Sequence, residues 1–550
     1  MPQNFNRYIE NAIREHWDLP ALTDFQGATY HYKDVARRMA KIHIMFEAAG
    51  VKHGDKIAIC GRNSSNWAIA FFATLTYGAV AVPILHEFKP DNVHHIVNHS
   101  ESKILFVGDV VWENLNIDKM PALNATILLN DLSLLKTDQP ALIDARARLN
   151  EYFGKKFPDH FRADSIRYYQ DSLDELAMIN YTSGSTGFSK GVMLSYRNIW
   201  SNLKFCYENL DFLQSGDGCV SMLPMAHMYG LMVELLNPFA KGCHIHLLTR
   251  VPSPKIIMDA FAEVKPKMIV AVPLIIEKII KTRVFPLLEK PLTKLMMMVP
   301  FVDIQLQSRI KNRLTETFGG NLREMIIGGA ALNKEVEQFL KKIDFPYTVG
   351  YGMTECAPLI SYAPWQENKL ASCGRAVSRM QLHIDSPDKT TTAGELWVKG
   401  DNTMIGYYKN DEATQAAFKD GWLKTGDLAL LDSDGFLFLK GRCKNMILGA
   451  SGQNIYPEEI EDLLNNMPYV NESIIIDESG KLVALVYPDF ENAEKSGYTG
   501  ENVASLMEEN RIALNKELPA YSQITKIIIR SEEFEKTPKR SIKRYMYTNK

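Results

Sequence analysis

Short apolar runs alternate with helical patterns of hydrophobic positions over most of the chain, from about residue 20 to residue 430. Examples of such runs are residues 56–60, 103–107 and 268–272, which are short and rich in isoleucine and valine, as buried strands are. Strands that alternate with helices in this way are typical of a parallel sheet covered by helices. The pattern therefore predicts an α/β fold for the larger part of the protein.

Residues 67–85 contain no charged side chain, and this run approaches the length of a membrane-spanning helix. Gly78 divides it into two different halves. Residues 67–77 are rich in alanine and phenylalanine, whereas residues 79–84 are rich in valine and contain a proline. We therefore predict a buried helix followed by a buried strand rather than a membrane span.

The C-terminal part of the chain has a different pattern. Apolar residues flank the turn sequence at 432–435, which predicts a β-hairpin over residues 428–439. Beyond about Arg442, a helix that begins with Pro457 and two glutamates indicates a small α+β domain. We predict a large domain over residues 1–441 and a small domain over residues 442–550.

Composition narrows the function classes. The chain has 550 residues, of which 46% are hydrophobic and 23% are charged, as expected for a globular protein of at least two domains. A net charge of −3 argues against nucleic acid as a partner and leaves small molecules. The seven cysteines show no Cys-x-x-Cys spacing, which indicates neither a disulfide framework nor a zinc site and favours the cytoplasm. The N-terminus lacks the apolar stretch of a secretory signal.

Residues 181–191 combine hydroxyl side chains, glycines and a lysine directly after an apolar run. Glycines let the backbone approach an anion, hydroxyl and N–H groups donate to phosphate oxygens, and Lys190 adds a positive charge. The spacing differs from that of a nucleoside-triphosphatase P-loop, because two residues separate Gly187 from Lys190. The segment predicts a phosphate-binding loop of another kind, and a Ser- and Gly-rich surface turn is the alternative.

Six further segments follow this loop in a recognisable order: residues 223–230, 328–332, 350–355, 394–396, 421–427 and 440–444. Together they resemble the motifs of the adenylate-forming superfamily, which includes acyl-CoA synthetases, luciferases and peptide-synthetase adenylation domains. The resemblance runs from about residue 25 to the C-terminus. It implies a large N-terminal region of parallel α/β subdomains with a small β-barrel-like part, followed by a small, mobile α+β C-terminal domain.

Within this superfamily, residues 351–358, 406–410 and 451–461 are most similar to long-chain fatty acid–CoA ligases. The resemblance implies a reaction that uses ATP, Mg²⁺ and CoA: a carboxylate attacks the α-phosphate, pyrophosphate leaves, and the CoA thiol then displaces AMP. Three alternatives stay open. The substrate could be another carboxylic acid, the acceptor could be acyl carrier protein, or the protein could be a non-catalytic sensor of an acyl group or a nucleotide. Peripheral association with a membrane and the oligomeric state also stay open.

The resemblance assigns the phosphates of ATP to the loop and to a later segment. The residues that would hold the β- and γ-phosphates are Thr182, Ser183, Gly184, Ser185, Thr186 and Lys190. Thr354 would contact the α-phosphate, and Glu355 would hold the magnesium ion together with Thr182. Lys190, Thr354 and Glu355 are thus expected to take part in catalysis.

The resemblance places the nucleoside against three small residues, Gly328, Gly329 and Ala330. Tyr351 would stack on the adenine, and Gly352 belongs to the same nucleotide-binding segment. Asp427 would accept both ribose hydroxyls, because a carboxylate has two oxygens suited to a diol, and Arg442 would add a donor. The alternatives are a turn for the glycines, core packing for Tyr351 and a loop cap for Asp427.

His227 lies among apolar residues such as Met225 and Met228, so a buried core histidine is the plain interpretation. The resemblance places it between the nucleotide and the acyl tunnel. We expect a contact residue rather than a general base, because a carboxylic acid is already ionised at neutral pH.

The resemblance also assigns roles to two residues that lie beyond the predicted domain boundary, one in the motion of the small domain and one at the CoA channel. Lys444 occupies the hinge position, about which the small domain would turn between adenylation and thioester formation. Gly452 would lie on the loop that lines the CoA channel.

The chain departs from the family pattern near its end. The small domain of such enzymes carries a lysine that binds the carboxylate and the α-phosphate, and this position falls on Ser541. A serine cannot supply the charge. We expect Lys543 or Lys539 to replace it, with Arg540 as a third candidate, whereas a solvated basic terminus is the alternative.

Overall fold

The structure is a computed structural model and describes residues 4–182, 190–250, 253–288, 300–448, 454–478, 480–537 and 542–548. The strands of the first part are β1 (Pro20–Asp24), β2 (Thr29–His31), β3 (Lys56–Cys60), β4 (Val80–Ile84), β5 (Ile104–Val107), β6 (Ala125–Leu128), β7 (Leu134–Thr137) and β8 (Leu176–Thr182). Its α-helices are α1 (Phe5–Glu15), α2 (Tyr32–Ala48), α3 (Ser65–Tyr77), α4 (Pro90–Ser100), α5 (Asp109–Trp112), α6 (Pro140–Ala147) and α7 (Leu149–Lys156).

The middle of the chain continues this alternation. Its strands are β9 (Lys190–Ser195), β10 (Gly218–Ser221), β11 (His244–Leu247), β12 (Met268–Ala271), β13 (Glu324–Ile327) and β14 (Tyr347–Val349). Its α-helices are α8 (Tyr196–Asn209), α9 (Met228–Gly230), α10 (Asn237–Ala240), α11 (Pro254–Val264), α12 (Pro273–Ile279), α13 (Phe285–Leu288), α14 (Pro300–Thr317) and α15 (Lys334–Lys342). Segments of π-helix lie at Leu231–Leu236 and Ile280–Val284.

The rest of the chain is richer in strands. These are β15 (Tyr351–Gly352), β16 (Leu359–Tyr362), β17 (Arg375–Ala376), β18 (Met380–Asp385), β19 (Gly394–Gly400), β20 (Gly406–Tyr407), β21 (Phe418–Lys419), β22 (Trp422–Leu431), β23 (Leu437–Arg442), β24 (Ile447–Leu448), β25 (Asn454–Ile455), β26 (Val470–Glu478), β27 (Lys481–Pro488) and β28 (Lys526–Ile529). The α-helices are α16 (Asp411–Ala417), α17 (Pro457–Leu464), α18 (Phe490–Lys495) and α19 (Glu501–Glu517).

The largest sheet has eight strands in the order β20-β9-β8-β4-β3-β5-β6-β7, and its central strands are parallel. Ile57 of β3 lies opposite Ala81 of β4, and Ala81 lies opposite Met178 of β8. Because helices cover such a sheet on both faces, its central strands are mostly apolar, as the sequence pattern indicates. The predicted α/β fold is confirmed.

Helix α3 and strand β4 form the helix-to-strand unit predicted for residues 67–85. The hydroxyl of Ser64 accepts a hydrogen bond from the amide of Trp67, and the helix ends at Gly78, whose φ is +86°. Residues 65–76 of this helix are all buried, which explains why it is apolar on every side. Among the residues that the structure describes, none of the helices has the length and apolar character needed to cross a membrane.

Two further α/β sheets and a strand-rich part lie beside the largest sheet. One sheet has the order β10-β11-β1-β2, and the other consists of the parallel strands β12-β13-β14. Strands β18, β19, β22 and β21 form a sheet in that order, and β23 pairs with β22. As far as its strands are described, this sheet is open rather than closed into a barrel.

The predicted hairpin is formed by β22 and β23. One carboxylate oxygen of Asp432 accepts hydrogen bonds from the amides of Asp434 (2.9 Å) and Phe436 (2.8 Å), and Gly435 has a φ of +80°. The hairpin brings Asp427 and Arg442 opposite each other on neighbouring strands. It therefore joins two of the residues predicted to contact the ribose.

Residues 454–548, called here the C-terminal unit, have a sheet β26-β27-β28 and a separate apolar core. An ion pair ties the end of the chain to this core. Arg544 donates to both carboxylate oxygens of Glu461 (2.6 and 2.5 Å) and to the carbonyl of Ile475 (2.9 Å). Burial raises the pKa of the Glu461 carboxyl, and the Arg544 guanidinium opposes that rise. The pair fixes the path of the chain next to Lys543.

Replacing Arg544 by alanine should destabilise the C-terminal unit, because the Glu461 carboxylate would stay buried without its partner. We expect a loss of about 3 kcal/mol in opening free energy, measured by native-state hydrogen exchange of the β26 amides. The matched control is Lys526→Ala, which breaks the exposed ion pair with Glu478 (2.6 Å) in the same sheet. We expect that control to cost less than about 1 kcal/mol. Equal exchange in the two variants would contradict the proposed role of Arg544.

Candidate active site

Strands β8 and β9 flank the predicted phosphate-binding loop. They are antiparallel neighbours in which Thr182 lies opposite Lys190. Ser183, Gly184, Ser185 and Thr186 lie outside the described residues, so their expected contacts stay predictions. The two ends of the loop are thus adjacent, with Thr182 on one strand and the Lys190 ammonium on the other.

Lys190 and Glu355 are brought together by a residue that the sequence analysis did not assign. The Lys190 ammonium lies 4.8 Å from the centre of the Tyr407 ring, and the Tyr407 hydroxyl donates to Glu355 (3.0 Å). Burial and the Glu355 carboxylate raise the pKa of Tyr407, so its hydroxyl remains a donor at neutral pH. Tyr407 thereby bridges a cation and a carboxylate that the resemblance assigns to the phosphates and the metal. The only sequence signal for a role of Tyr407 was its position within residues 406–410, one of the segments similar to long-chain fatty acid–CoA ligases.

A buried asparagine fixes the turn that carries Thr354 and Glu355. This turn is a 3-10 helix over Thr354–Cys356. The side chain of Asn202 on α8 donates to the carbonyl of Cys356 (2.9 Å) and accepts from the amide of Leu359 (2.9 Å). Because the Asn202 side chain is buried and bonds to the backbone at and after the turn, α8 determines where Thr354 and Glu355 lie. Nothing in the sequence around Asn202 indicated this role.

Asp427 is the centre of a second group of predicted nucleotide contacts. Its two carboxylate oxygens accept from the Arg442 guanidinium (2.8 Å) and from the Tyr351 hydroxyl (2.5 Å). Burial raises the pKa of the Asp427 carboxyl, whereas Arg442 and Tyr351 oppose this rise. The structure therefore brings Tyr351, Asp427 and Arg442 together. Each carboxylate oxygen keeps a further lone pair for a ligand hydroxyl.

Gly328 and Gly329 are required by the local geometry. A Cβ atom on Gly328 would lie 3.1 Å from the Tyr229 ring, whose hydroxyl donates to the carbonyl of Ile326 (3.0 Å). Gly329 has a φ of +87°, as a turn residue would, and it is exposed together with Ala330. The turn that we considered as the alternative is therefore present, and it leaves Gly329 and Ala330 accessible. Gly352 is exposed too and directly follows Tyr351.

His227 lies on a loop, residues 221–227, that two buried asparagines hold from the side of the largest sheet. Asn63, which follows β3, donates to the carbonyl of Leu223 (2.7 Å) and accepts from the amide of Met225 (2.9 Å). Asn180 in β8 donates to the carbonyl of Ala226 (3.0 Å). His227 itself is half-buried, so it is not a fully enclosed core residue.

Glu234, in the π-helix that follows the loop, holds the same loop. Its carboxylate accepts from the amides of Met222 (3.0 Å) and Leu223 (2.9 Å) and from the Ser221 hydroxyl (3.3 Å). The side chain is fully buried, and burial raises the pKa of its carboxyl well above the ordinary value. We call Asn63, Asn180 and Glu234 the loop clamp. They were missed because a single polar residue in an apolar segment does not reveal which backbone it contacts.

The residues assigned to domain motion lie after β23. Lys444 belongs to the 3-10 turn Cys443–Asn445. Burial lowers the pKa of its ammonium, and the positive charges of Arg442 and Arg544 lower that pKa further. Gly452 lies outside the described residues, as do Lys539, Arg540 and Ser541. Lys543 lies 3.6 Å from the Glu535 carboxylate, and its described contacts include neither Lys190 nor Glu355. The structure thus does not bring Lys543 to the predicted phosphate site.

Comparisons with known proteins identify the family of the chain. A family model for AMP-binding enzymes matches residues 9–408, so the chain belongs to the AMP-binding enzyme family. The long-chain-fatty-acid–CoA ligase FadD15 of Mycobacterium bovis is 28% identical over 81% of this chain and 75% of its own length. A long-chain-fatty-acid–CoA ligase of Escherichia coli O157:H7 is 26% identical over 84% and 81%, respectively. The resemblance to adenylate-forming enzymes is confirmed.

Solved structures share the fold at lower identity. An anthranilate CoA ligase, AuaEII, in complex with anthranoyl-AMP superposes with a TM-score of 0.79 at 18% identity and covers 99% of this chain and 97% of its own. The o-succinylbenzoate CoA synthetase MenE of Bacillus subtilis gives 0.76 at 21% identity and covers 100% and 98%, respectively. These likenesses confirm the fold.

Glutamine at position 234 tests whether a protonated carboxyl holds the loop. Because the folded pKa is raised above the ordinary 4.5, the stability that Glu234 contributes is complete below that pH and is lost as the pH rises through the folded pKa. Glutamine has no such dependence. We therefore expect the melting temperature of Glu234→Gln, relative to wild type, to rise from about pH 5 to about pH 8.

Alanine at the same position provides the contrast. Glu234→Ala leaves the amides of Met222 and Leu223 buried without an acceptor, so we expect a loss of about 2 kcal/mol or more at both pH values. A difference between wild type and Glu234→Gln that stays constant with pH would show that the carboxyl does not titrate as described.

Proposed function

We propose that the protein is an ATP-dependent acyl-CoA ligase that activates a long-chain fatty acid through an acyl-adenylate and releases AMP and pyrophosphate. The observation that supports this most is the convergence of Tyr351, Asp427 and Arg442 on one side and of Lys190, Tyr407 and Glu355 on the other. Both groups are joined by residues 351–355 in a chain of the AMP-binding enzyme family. The relatives that are long-chain-fatty-acid–CoA ligases favour a fatty acid as the substrate.

The nucleoside of ATP would occupy the first group. The carboxylate of Asp427 accepts the ribose hydroxyls, with Arg442 as a further donor, while Tyr351 stacks on the adenine. The exposed turn of Gly329 and Ala330, together with Gly328, lets the flat ring approach the backbone. Gly352 lies in the same segment, and the absence of a side chain there lets the carbonyl of Pro358 approach, because a Cβ atom would lie 2.3 Å from its oxygen.

The triphosphate would occupy the second group. Thr182 and Lys190 contact the β- and γ-phosphates together with Ser183, Gly184, Ser185 and Thr186, and Thr354 contacts the α-phosphate. Glu355 and Thr182 hold Mg²⁺, which supplies positive charge next to the phosphates. A single carboxylate fits this ion, because Mg²⁺ at nucleotide sites is bound by one or two carboxylates together with phosphate oxygens.

The first reaction step joins two anions, so the site must neutralise charge and align the reactants. A carboxylate oxygen of the fatty acid forms a bond to the α-phosphorus, and the bond to the β-phosphate oxygen breaks as pyrophosphate leaves. His227 contacts the acyl carboxylate and removes no proton, because the acid is already ionised. The CoA sulfur then attacks the acyl carbonyl carbon, and AMP leaves.

We propose further that residues 1–441 and 442–550 are two domains that turn about Lys444, with Gly452 lining the CoA channel. Among the described residues, several polar contacts join the two parts. They include Lys440 with Glu459 (2.9 Å) and Lys281 with Asn466 (2.8 Å). Polar contacts of this kind are exchanged at low cost when one domain reorients. All seven cysteines are free, which agrees with the proposed location in the cytoplasm, with or without contact to a membrane.

The acyl preference can be measured by thioester formation with a series of carboxylic acids. We expect CoA thioester to form with long-chain fatty acids in preference to medium-chain and aryl acids.

Asp427→Ala should raise the KM for ATP by about tenfold or more, because a charge-assisted acceptor for the ribose is lost. The matched control is Asp434→Ala, an exposed aspartate in the same hairpin, which should behave like wild type.

Other outcomes separate the alternatives. Preference for an aryl acid, or thioester formation with acyl carrier protein alone, would contradict the proposed substrates while leaving the reaction class intact. ATP binding without any thioester would favour a sensor.

The replacement for the missing lysine can be found with single alanine variants of Lys539, Arg540 and Lys543. We expect Lys543→Ala to slow fatty-acid-dependent pyrophosphate release by about tenfold or more, with a smaller effect at Lys539. Thioester formation from chemically prepared acyl-adenylate should stay unchanged, because this charge serves the first step. Wild-type pyrophosphate release in all the variants would show that no residue of this basic run takes over the role.

A further inference from the structure

A surface cavity of about 820 Å³ lies between α2 and residues 131–151, and none of the predicted active-site residues lines it. Five cationic side chains line it, namely Arg37, Arg38, Lys41, Arg146 and Arg148. Three carboxylates face them, namely Asp34, Asp131 and Glu151. Positive charge therefore exceeds negative charge around an open cavity in a chain whose net charge is negative.

Two of these cations are neutralised by neighbours. Arg37 donates to Asp34 (3.1 Å), and Arg148 pairs with Asp144 (2.5 Å) and lies 3.5 Å from Glu151. Within the described part of the chain, Arg38, Lys41 and Arg146 form no ion pair. These three half-buried side chains keep part of their charge, although the carboxylates of Asp24 and Asp131 lie near Arg38 and Arg146, respectively.

Neutral groups hold each of the three in place. The Arg38 guanidinium lies 4.4 Å above the Tyr30 ring and donates to the Asn66 side chain (3.2 Å). The Lys41 ammonium donates to the Asn150 side chain (2.7 Å). Such contacts orient a cation without cancelling its charge.

Arg146 is held in the same manner by backbone carbonyls. It donates to the carbonyls of Leu132 (2.6 Å) and Asp131 (3.2 Å). The carboxylate of Asp131 accepts instead from the amide of Ser133 (2.9 Å). Only part of each cation is used by these contacts, because a guanidinium has five N–H donors and an ammonium has three.

The three charges also repel one another. Burial lowers the pKa of the Lys41 ammonium, and the charges of Arg37, Arg38 and Arg146 lower it further. Cations that outnumber the carboxylates around a cavity attract an anion, and an anion with several oxygens satisfies more of the remaining donors than a single carboxylate does. Arginine forks and a lysine point charge suit phosphate in particular.

We propose that this cavity binds a phosphate group, with Arg38, Lys41 and Arg146 donating to its oxygens. The phosphate belongs either to a soluble phosphorylated compound or to a phospholipid headgroup. The site is separate from the proposed ATP site and does not depend on the proposed function. The cavity has room for an organic group attached to the phosphate, because its volume falls in the range of ligand pockets.

The test compares the full-length protein with the double variant Lys41→Gln/Arg146→Gln. Binding of inorganic phosphate is measured by calorimetric titration at constant ionic strength. The proposed nucleotide site has the same residues in all the proteins compared, so a difference in phosphate binding between them reports the cavity. Binding to vesicles is measured by co-sedimentation, with phosphatidylglycerol vesicles against phosphatidylcholine vesicles. The matched control is Lys33→Gln, because Lys33 lies on α2, pairs with Asp18 (2.7 Å) and does not line the cavity.

We expect the double variant to lose about tenfold or more in affinity for at least one of the two probes, while Lys33→Gln retains the wild-type affinity. An unchanged melting temperature shows that the double variant is folded. Loss of phosphate binding assigns the site to a soluble phosphate, and loss of phosphatidylglycerol binding alone assigns it to a headgroup. Equal binding of both probes by wild type, double variant and control would overturn the proposal.

Discussion

The loop clamp is the constraint on which the candidate site depends most. Asn63, Asn180 and Glu234 are buried, and each hydrogen bonds to the backbone of residues 221–227. A buried loop needs such partners, because its N–H and C=O groups have no ladder and no water to pair with. Asn180 fixes the loop to β8 of the largest sheet, and Glu234 fixes it to the π-helix at Leu231–Leu236, which follows the loop in the chain. Three polar side chains thereby determine where His227 lies relative to the predicted phosphate-binding loop.

The same loop continues into Tyr229, which contacts a third sheet. Its ring lies against Gly328, and its hydroxyl donates to the carbonyl of Ile326 in β13. The two groups of candidate nucleotide contacts, around Asp427 and around Glu355, are joined by the short segment that follows β14. Contacts within the protein pair and orient their charged groups. Preorganised charges of this kind need little rearrangement when a polyanion arrives, which favours catalysis of a reaction between anions.

Much of the fold could be predicted from the sequence, because most of its elements have one dominant environment. Strands such as β3 are apolar and buried on both faces apart from the first residue, Lys56, and α3 is buried on all sides. The candidate site could be predicted as far as its residues form motifs, as Asp427 and Glu355 do. Asn63, Asn180 and Asn202 could not, because their roles depend on backbone groups more than 40 residues away in sequence. Glu234 is closer to its partners in sequence, but nothing in an apolar segment shows which backbone groups a buried carboxylate contacts. The position of Lys543 could not be predicted either, because it depends on a tertiary contact. The buried ion pair of Arg544 and Glu461 determines where that part of the chain lies.

The central claim is that this site activates a carboxylate at the α-phosphate of ATP. The most direct measurement is the exchange of radioactive pyrophosphate into ATP in the absence of CoA, because it reports the first half-reaction alone. The account predicts exchange that requires a long-chain fatty acid and that is strongly reduced in Asp427→Ala. ATP binding without exchange for any carboxylic acid would contradict it and would leave a nucleotide-binding protein that does not adenylate.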